Sequence, residues 1–153
     1  MDVVDISTRS KMMSGIKGSN TRPEMTVRRY LHSSGFRFRL HRKDLPGRPD
    51  IILSKYRLAI FVHGCFWHAH QGCKYFKVPK TRPDFWAAKL QANINRDHKS
   101  VDALVKMGWR VLCVWECATR DHKTCELLGN EMVHWINSNA PLGEIGGPLI
   151  SIN

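Results

Sequence analysis

The feature that most constrains the fold is a strand whose side chains are apolar on both faces. It lies within Trp109–Trp115, where every residue from Val111 onward is apolar. Such a strand must be covered on both faces, so we place it in the interior of a sheet. Two more short apolar strands, 50–53 and 58–62, are separated only by Ser54–Arg57, which is short enough for a hairpin.

Helical patterns surround these strands and indicate the fold class. Thr21-Arg22-Pro23-Glu24 is typical of a helix start, and Pro83 lies in the first turn of the longest predicted helix. The other predicted elements are, in chain order, a helix from Thr21 to Gly35, a strand at 36–40, a helix at 81–107, a helix at 123–137 and a terminal strand at 149–152. This order predicts an α/β fold in which helices flank a central mixed sheet.

Length and composition bound the domain organisation. The chain has 153 residues, 42% hydrophobic and 24% charged, so wholesale disorder is excluded. We expect a basic N-terminal arm over residues 1–20 that orders on a partner, and a single domain over 21–153. The sequence contains neither an apolar run of the roughly 18 residues that span a membrane nor a secretory signal. The odd count of 5 cysteines argues against a disulfide framework and favours a cytoplasmic protein.

Positive charge is concentrated in the first two thirds of the chain. The net charge is +11, and residues 1–48 carry 11 Lys and Arg against 4 Asp and Glu. Residues 54–110 carry 11 against 3, whereas residues 111–153 carry 2 against 5. This distribution favours a polyanionic partner, with nucleic acid ahead of a membrane, over a basic surface kept for solubility.

Three carboxylates fall where apolar side chains are expected. Asp50 opens an apolar strand, Glu24 lies on the apolar stripe of the first helix, and Asp97 lies on the apolar face of the long helix. That face is formed by Trp86, Leu90, Ile94, Val101, Leu104 and Val105. Asp50 could instead be an ordinary turn residue, and Asp97 half of a buried ion pair. Converging carboxylates on a basic protein favour a divalent cation that faces phosphate, with Mg²⁺ as the default.

A cluster of nitrogen and sulfur donors lies in His63–Cys73, directly after the second apolar strand. Donors with spacing suited to zinc are Cys65, His70, Cys73 and the more remote Cys117. This set predicts a closed structural Zn²⁺ site, in which His68 is the alternative to His70. The ordinary alternative is a group of buried cysteines and surface histidines.

Some potential donors remain outside this zinc set. His63 and His68 are then available for proton transfer near the acids. Cys113 and Cys125 are interpreted as core residues.

Phe66, Trp67 and Trp86 are candidates to stack on DNA bases or to wedge between them, with core filling as the alternative.

Short motifs occur in a fixed order along residues 8–120. They are Thr8–Met13, Pro23-Glu24, Pro46–Asp50, His63–His68, Phe76–Arg82, Asn95–Asp97 and Gly108–Cys117. Their sequence and order resemble those of the very short patch repair (Vsr) DNA mismatch endonucleases. The blocks at 46–50 and 63–68 are together the most specific part of this resemblance.

The resemblance implies a fold and an activity. The fold is a restriction-endonuclease-like core with a structural zinc site. The activity is Mg²⁺-dependent nicking of one strand of double-stranded DNA at T:G mismatches, which arise by deamination of 5-methylcytosine, and the nick initiates their repair. The resemblance further implies a monomeric bacterial enzyme in the cytoplasm, associated with the nucleoid and with mismatch-repair proteins.

The resemblance also implies roles for individual residues. The implied catalytic side chains are those of Glu24, Asp50, His63, His68 and Asp97. Asp50 and the backbone carbonyl of Val62 would bind Mg²⁺, and His68 would serve the attacking water. The implied zinc ligands are Cys65, His70, Cys73 and Cys117. The implied DNA-contacting residues are Met13, Arg48, Phe66, Trp67, Lys80, Arg82 and Trp86.

Two other functions stay open. A zinc-stabilised nucleic-acid-binding module without catalysis is disfavoured by the inward acids, and a restriction-type nuclease that cuts both strands is the second alternative. Common restriction nucleases carry an acid and a lysine, two residues apart, on the strand that follows the aspartate. Here the equivalent positions are Phe61 and His63, so histidine chemistry must substitute.

Overall fold

The apolar strands pair with one another and place their longest members inside a single sheet. The computed structural model describes residues 20–120 and 122–146. The strands in this part of the chain are β1 (Arg39–Leu40), β2 (Ile51–Leu53), β3 (Leu58–His63), β4 (Arg110–Trp115) and β5 (Leu142–Ile145). They are hydrogen-bonded in chain order, so β3 and β4 both have a neighbour on each side.

The pairing directions bring three functional segments to one edge of the sheet. β2 and β3 are antiparallel, with Ile51 opposite Ile60. β3 and β4 are parallel, with His63 opposite Trp115. The start of β2, which follows Asp50, therefore lies beside the ends of β3 and β4. β5 pairs in parallel with the other side of β4.

Helices cover both faces of the sheet, as strands that are apolar on both faces require. The helices are α1 (Arg22–Ser33), α2 (Pro83–Lys106), α3 (Cys117–Arg120) and α4 (His122–Asn137). One core, which contains Leu31 of α1 and Met132 of α4, packs on Ile51 and Ile60. A second core contains Leu104 of α2 and packs on the opposite face.

The first helix shows how a local signal puts a charged residue inside. The side chain of Thr21 accepts a hydrogen bond from the Glu24 amide at 3.3 Å, which caps the helix start. Val27 and Leu31 on the same stripe are buried in the core. Glu24 follows their helical phase and is only 1% exposed, as the sequence predicts.

The fold class is confirmed, while several element boundaries differ from those predicted. β1 is confined to Arg39–Leu40 because Phe36 and Phe38 pack against the core instead of pairing. Val105 is 41% exposed, since it lies about 100° around α2 from the fully buried Leu104. The long helix begins at Pro83, and the short α3 precedes the last helix.

The C-terminal prediction is wrong in one respect. β5 was not expected, because Leu142 is exposed and only Ile145 is buried in the core, so the strand has no clear apolar pattern. The predicted strand at 149–152 and residues 1–19 of the predicted arm lie outside the described residues. Across those that are described, none of the helices has the length and apolar character needed to cross a membrane.

Candidate active site and metal centre

A cavity of about 270 Å³ opens at the sheet edge where β2 begins and β3 ends. Its lining residues are Gly47, Arg48, Asp50, Phe61, Val62, His63, His68, Asp97, Ser100 and Val101. The cavity thus joins four of the five predicted catalytic residues, which come from a loop, two strand ends and α2. Glu24, the fifth, is not among the lining residues.

The loop before β2 is pressed tightly against α2. A Cβ on Gly47 would lie 2.6 Å from the Cβ of Ser100, and Gly47 has φ of 74°, so only glycine fits this position. The next residue, Arg48, has φ of 51°, a left-handed conformation that is uncommon without glycine. Strained backbone of this kind clusters at functional sites, and here it holds Arg48 at the cavity.

Asp50 is anchored at the mouth of β2 by backbone contacts. Its amide donates to the Ile60 carbonyl at 3.1 Å, and the Val62 amide donates to its Oδ2 at 2.8 Å. Burial raises the pKa of Asp50 to about 6, although the hydrogen bond from Val62 opposes that shift. A carboxylate this poorly solvated favours a partner that supplies positive charge.

Glu24 lies behind Asp50 and is held by two basic side chains. Arg28 donates to Glu24 Oε2 across one turn of α1, and the Nε2–H of His41 donates to the same oxygen at 2.9 Å. Donor atoms of Glu24, His41 and Asp50 all lie within 4.8 Å of one another. Neither Arg28 nor His41 was predicted to belong to the site, and Glu24 lies close to Asp50 without lining the cavity.

His68 and Asp97 form a hydrogen-bonded pair that also lines the cavity. The Nδ1–H of His68 donates to Asp97 Oδ2 at 2.6 Å, which leaves Nε2 as a proton acceptor. The ring of His68 stacks on that of His63, with centroids 3.8 Å apart and an interplanar angle of 3°. A carboxylate that fixes the tautomer of an imidazole is the arrangement of a general base.

His63 is buried beneath His68 and is neutral. Burial is the largest cause that lowers the pKa of His63 to about 3, repulsion from His68 adds to it, and Asp97 opposes it. The Nδ1 atom of His63 lies 3.2 Å from the Sγ of Cys113. Cys113, interpreted from sequence as a core residue, packs against the small core cluster of Cys65, Cys73 and Trp115 and also contacts the site through His63.

The four predicted zinc ligands converge. Donor atoms of Cys65, His70, Cys73 and Cys117 all lie within 4.8 Å of one another. His70 stacks on Trp115 with centroids 3.9 Å apart, whereas His68 pairs with Asp97, so His70 is the imidazole of this set. Burial lowers the pKa of His70 and raises that of Cys65. Three sulfur atoms and one imidazole nitrogen are a donor set suited to tetrahedral Zn²⁺.

The three predicted wedge aromatics form one cluster. The ring centroids of Phe66 lie 5.0 Å from Trp67 and 5.5 Å from Trp86, and the two tryptophans are 6.1 Å apart. All three are partly exposed. The side-chain amide of Asn93 donates to the Trp67 carbonyl at 2.8 Å, which ties the loop to α2.

Other predicted DNA contacts lie near this cluster. Lys80 and Arg82 are exposed just before α2, and the Arg82 guanidinium lies 4.3 Å from the ring centroid of Phe85. Phe85 is 44% exposed and packs against Trp86. Met13 lies outside the described residues.

Fold and site together define a class of enzyme. A carboxylate at a strand mouth, a histidine–aspartate pair across a cavity and a strongly basic chain are typical of nucleases, which hydrolyse phosphodiester bonds. A solved structure described as the homing endonuclease I-Bth0305I catalytic domain has a similar fold, with a TM-score of 0.50 and 22% identity. The match covers 78% of this chain and 100% of that one.

Sequence comparison gives the family. The family described as DNA mismatch endonuclease Vsr matches residues 1–74. The DNA mismatch endonuclease Vsr of Escherichia coli is 45% identical over 137 residues, covering 88% of this chain and 87% of that protein. The type II nicking enzyme V.XorIIP of Xanthomonas oryzae pv. oryzae is 53% identical over 113 residues, covering 74% and 82%. The chain belongs to the Vsr family of DNA mismatch endonucleases, and its substrate is DNA.

Proposed function

We propose that this protein nicks one strand of duplex DNA at a T:G mismatch in a Mg²⁺-dependent reaction that initiates very short patch repair. The observation that carries the proposal is the cavity itself, which Asp50 and the His68–Asp97 pair both line. A metal-binding acid and a separate proton acceptor are the two groups that phosphodiester hydrolysis requires. The family assignment supports the mismatch as the target.

The residues around Asp50 fit a hard divalent cation. Asp50 supplies a carboxylate at the cavity, and its poor solvation favours a bound positive charge. The Val62 amide points toward Asp50. Because the amide and the carbonyl of a residue in a strand point toward the same neighbouring strand, the Val62 carbonyl also points to the side of β3 on which Asp50 lies. The Val62 carbonyl is therefore suited to be a second oxygen ligand. Mg²⁺ bound there would stabilise negative charge developing on the phosphate.

We assign the protein's own part in the reaction to four side chains. His68 Nε2 accepts a proton from the attacking water, and Asp97 holds the ring and stabilises its protonated form. Glu24 positions Asp50 from behind. Arg48, held at the cavity by its loop, contacts a phosphate oxygen.

The remaining predicted residues concern zinc and DNA. We assign structural Zn²⁺ to Cys65, His70, Cys73 and Cys117. We propose that Phe66, Trp67 and Trp86 enter the base stack at the mismatch. Lys80 and Arg82 would contact the backbone, and the arm over residues 1–20, with Met13, would close on the DNA from the other side.

The experiment that tests this function uses end-labelled duplexes with randomised flanking bases. Matched pools carry a central T:G or T:A pair and are incubated with the protein and Mg²⁺. We expect one labelled strand of the T:G pool alone to be cut. Cleavage of both strands in paired DNA would identify a restriction-type nuclease, and binding without cleavage would identify a non-catalytic module.

Asp50→Ala provides the residue-level test. Removing the carboxylate should lower the nicking rate by at least about a thousandfold, while mismatch binding changes by less than about threefold because phosphate contacts persist. Asp44→Ala is the matched control, since Asp44 is an exposed acid that pairs only with Arg42 among the described side chains. Nicking by Asp50→Ala within tenfold of the wild-type rate would contradict the assignment.

A further inference from the structure

Cys113 contacts the buried histidine of the site from a neighbouring strand. On β4 it lies opposite Phe61, two residues before the pair formed by His63 and Trp115. Its Sγ is 3.2 Å from His63 Nδ1, within hydrogen-bonding distance for sulfur. Its neighbours Val111 and Trp115 share its face of the strand, which is the face covered by α2.

The contact bears on which nitrogen of His63 carries the proton. A neutral imidazole has one N–H donor and one acceptor, and the hydrogen bond at one nitrogen decides the state of the other. A cysteine that does not bind a metal is ordinarily a neutral thiol at pH 7, so the Sγ of Cys113 carries a proton. A protonated thiol beside Nδ1 can donate to it.

The second ring nitrogen of His63, Nε2, favours the same tautomer. His63 lines the cavity, and its Nε2 forms no hydrogen bond with any described residue. His68 already presents an acceptor nitrogen to this cavity, because its Nδ1–H is held by Asp97. A second acceptor there would repel the phosphate oxygens, whereas an Nε2–H would donate to one of them.

We propose that Cys113 is a positioning residue: its S–H donates to His63 Nδ1 and holds the ring as the Nε2–H tautomer. His63 is then a hydrogen-bond donor to a phosphate oxygen, and His68 alone is the proton acceptor. The part of this proposal that concerns phosphate rests on the proposed function. The tautomer is a property of the protein without DNA.

The tautomer is measured by nitrogen-15 NMR of the zinc-loaded protein without DNA. Long-range nitrogen–proton correlations give different patterns for the two neutral tautomers, and the His63 signals are those that disappear in His63→Gln. We expect the Nε2–H pattern in the wild type and a mixture of tautomers in Cys113→Val. A wild-type Nδ1–H pattern, or an unchanged pattern in Cys113→Val, would overturn the proposal.

Kinetics of the same variants test the consequence for the reaction. Cys113→Val keeps a compact apolar side chain at this position but removes the donor, and it should lower kcat for T:G nicking about tenfold while leaving DNA affinity within about twofold. Cys113→Ser keeps a donor and should restore kcat to within about threefold of the wild type. Equal losses in both variants, or a loss confined to affinity, would indicate packing and refute positioning.

The two proposals fail in distinguishable ways. If the wild type does not nick T:G duplexes, the proposed function fails, although the NMR pattern can still show the Nε2–H tautomer. If the wild type nicks T:G duplexes and the tautomer is Nδ1–H, only the role of Cys113 fails. Thermal melting of Cys113→Val and Cys113→Ser establishes that both are folded before either result is used.

Discussion

Asp50, the proposed Mg²⁺ ligand, illustrates how a residue kept for function can lower the stability of the protein that contains it. The carboxylate is partly buried at a strand mouth, and its pKa is raised from 3.8 to about 6. Between these two pH values the folded state binds more protons than the unfolded state. The free energy of unfolding therefore falls as the pH rises through this range. Above it, the ionised group weakens the fold unless a cation is bound.

Asp50→Asn should consequently stabilise the protein in the absence of Mg²⁺. A pKa difference of this size corresponds to about 3 kcal/mol at pH 8, and the amide oxygen can still accept from Val62. We expect a higher Tm than the wild type at pH 8 and equal Tm values at pH 4. The scans use Mg²⁺-free buffer without chelator, so that zinc is retained. A Tm gain that is the same at both pH values would show that the charge is not its cause.

Individual residues also show where sequence reasoning stops. Asp50, His68 and Asp97 were predicted because each breaks a local pattern or matches a motif. His41 and Cys113 have no such signal, and their contacts with Glu24 and His63 span 17 and 50 residues of chain. The pairing of β3 with β4 brings Cys113 to His63, whereas His41 reaches Glu24 through the pairing of β1 with β2 and the packing of α1 on the sheet.

At the scale of elements, the segment between β3 and α2 has the least regular structure. Residues 64–82 contain no helix or strand, although they carry Phe66 and Trp67 of the aromatic cluster and three of the four proposed zinc ligands. A loop this long within a compact domain needs a specific source of order. The Cys65, His70, Cys73 and Cys117 cluster provides it, since Cys117 begins α3 and joins the loop to the end of β4.

Zinc should therefore be part of the folding free energy of this segment. We expect elemental analysis to find one Zn²⁺ per chain, and we expect Cys73→Ser to lose it and to lower Tm on the order of 10 °C. Cys125→Ser is the matched control, because a serine hydroxyl can still donate to the Thr119 carbonyl that Cys125 contacts at 2.9 Å. Wild-type protein that is folded, active and free of zinc would contradict this prediction.

Element boundaries were predictable where periodicity and capping agree. Thr21 and Pro83 mark the starts of α1 and α2 closely, and the apolar runs define β3 and β4. β5 could not be predicted, because it joins the sheet through backbone hydrogen bonds with β4 and buries little side-chain surface. Its place depends on tertiary pairing, which has no local pattern in the sequence.

At the scale of the whole molecule, the aromatic cluster and the cavity are joined by α2 and by one loop. Trp67 directly precedes His68, and Trp86 lies three turns before Asp97 on α2. Asn93 lies between Trp86 and Asp97 on α2, and its side-chain amide donates a hydrogen bond to the Trp67 carbonyl. A movement of the aromatic cluster would thus reach His68, the proposed proton acceptor, through short, direct connections. Mismatch recognition and hydrolysis are therefore expected to share one rigid frame.

This frame suggests how a mismatch is distinguished from a normal pair. A mispaired step costs less to unstack than a paired one, by up to a few kcal/mol. A rigid cluster of Phe66, Trp67 and Trp86 can enter such a step more readily than an intact stack. Trp67→Ala and Trp86→Ala should each lower T:G nicking more than about tenfold, while salt-sensitive binding to paired DNA changes less than about twofold.

The design of this last test separates insertion from packing. Trp109→Ala is the matched control, since Trp109 is half-buried beside Arg57 at the opposite end of β4 and should lose stability without losing T:G selectivity. If the rings insert as a unit, the double variant Trp67→Ala with Trp86→Ala should lose less activity than the product of the single losses. Multiplicative losses would mean that the rings act independently. If removing a tryptophan lowers Tm but preserves selectivity in the folded fraction, that tryptophan belongs to the core. Its ring then packs the loop and does not enter the DNA stack.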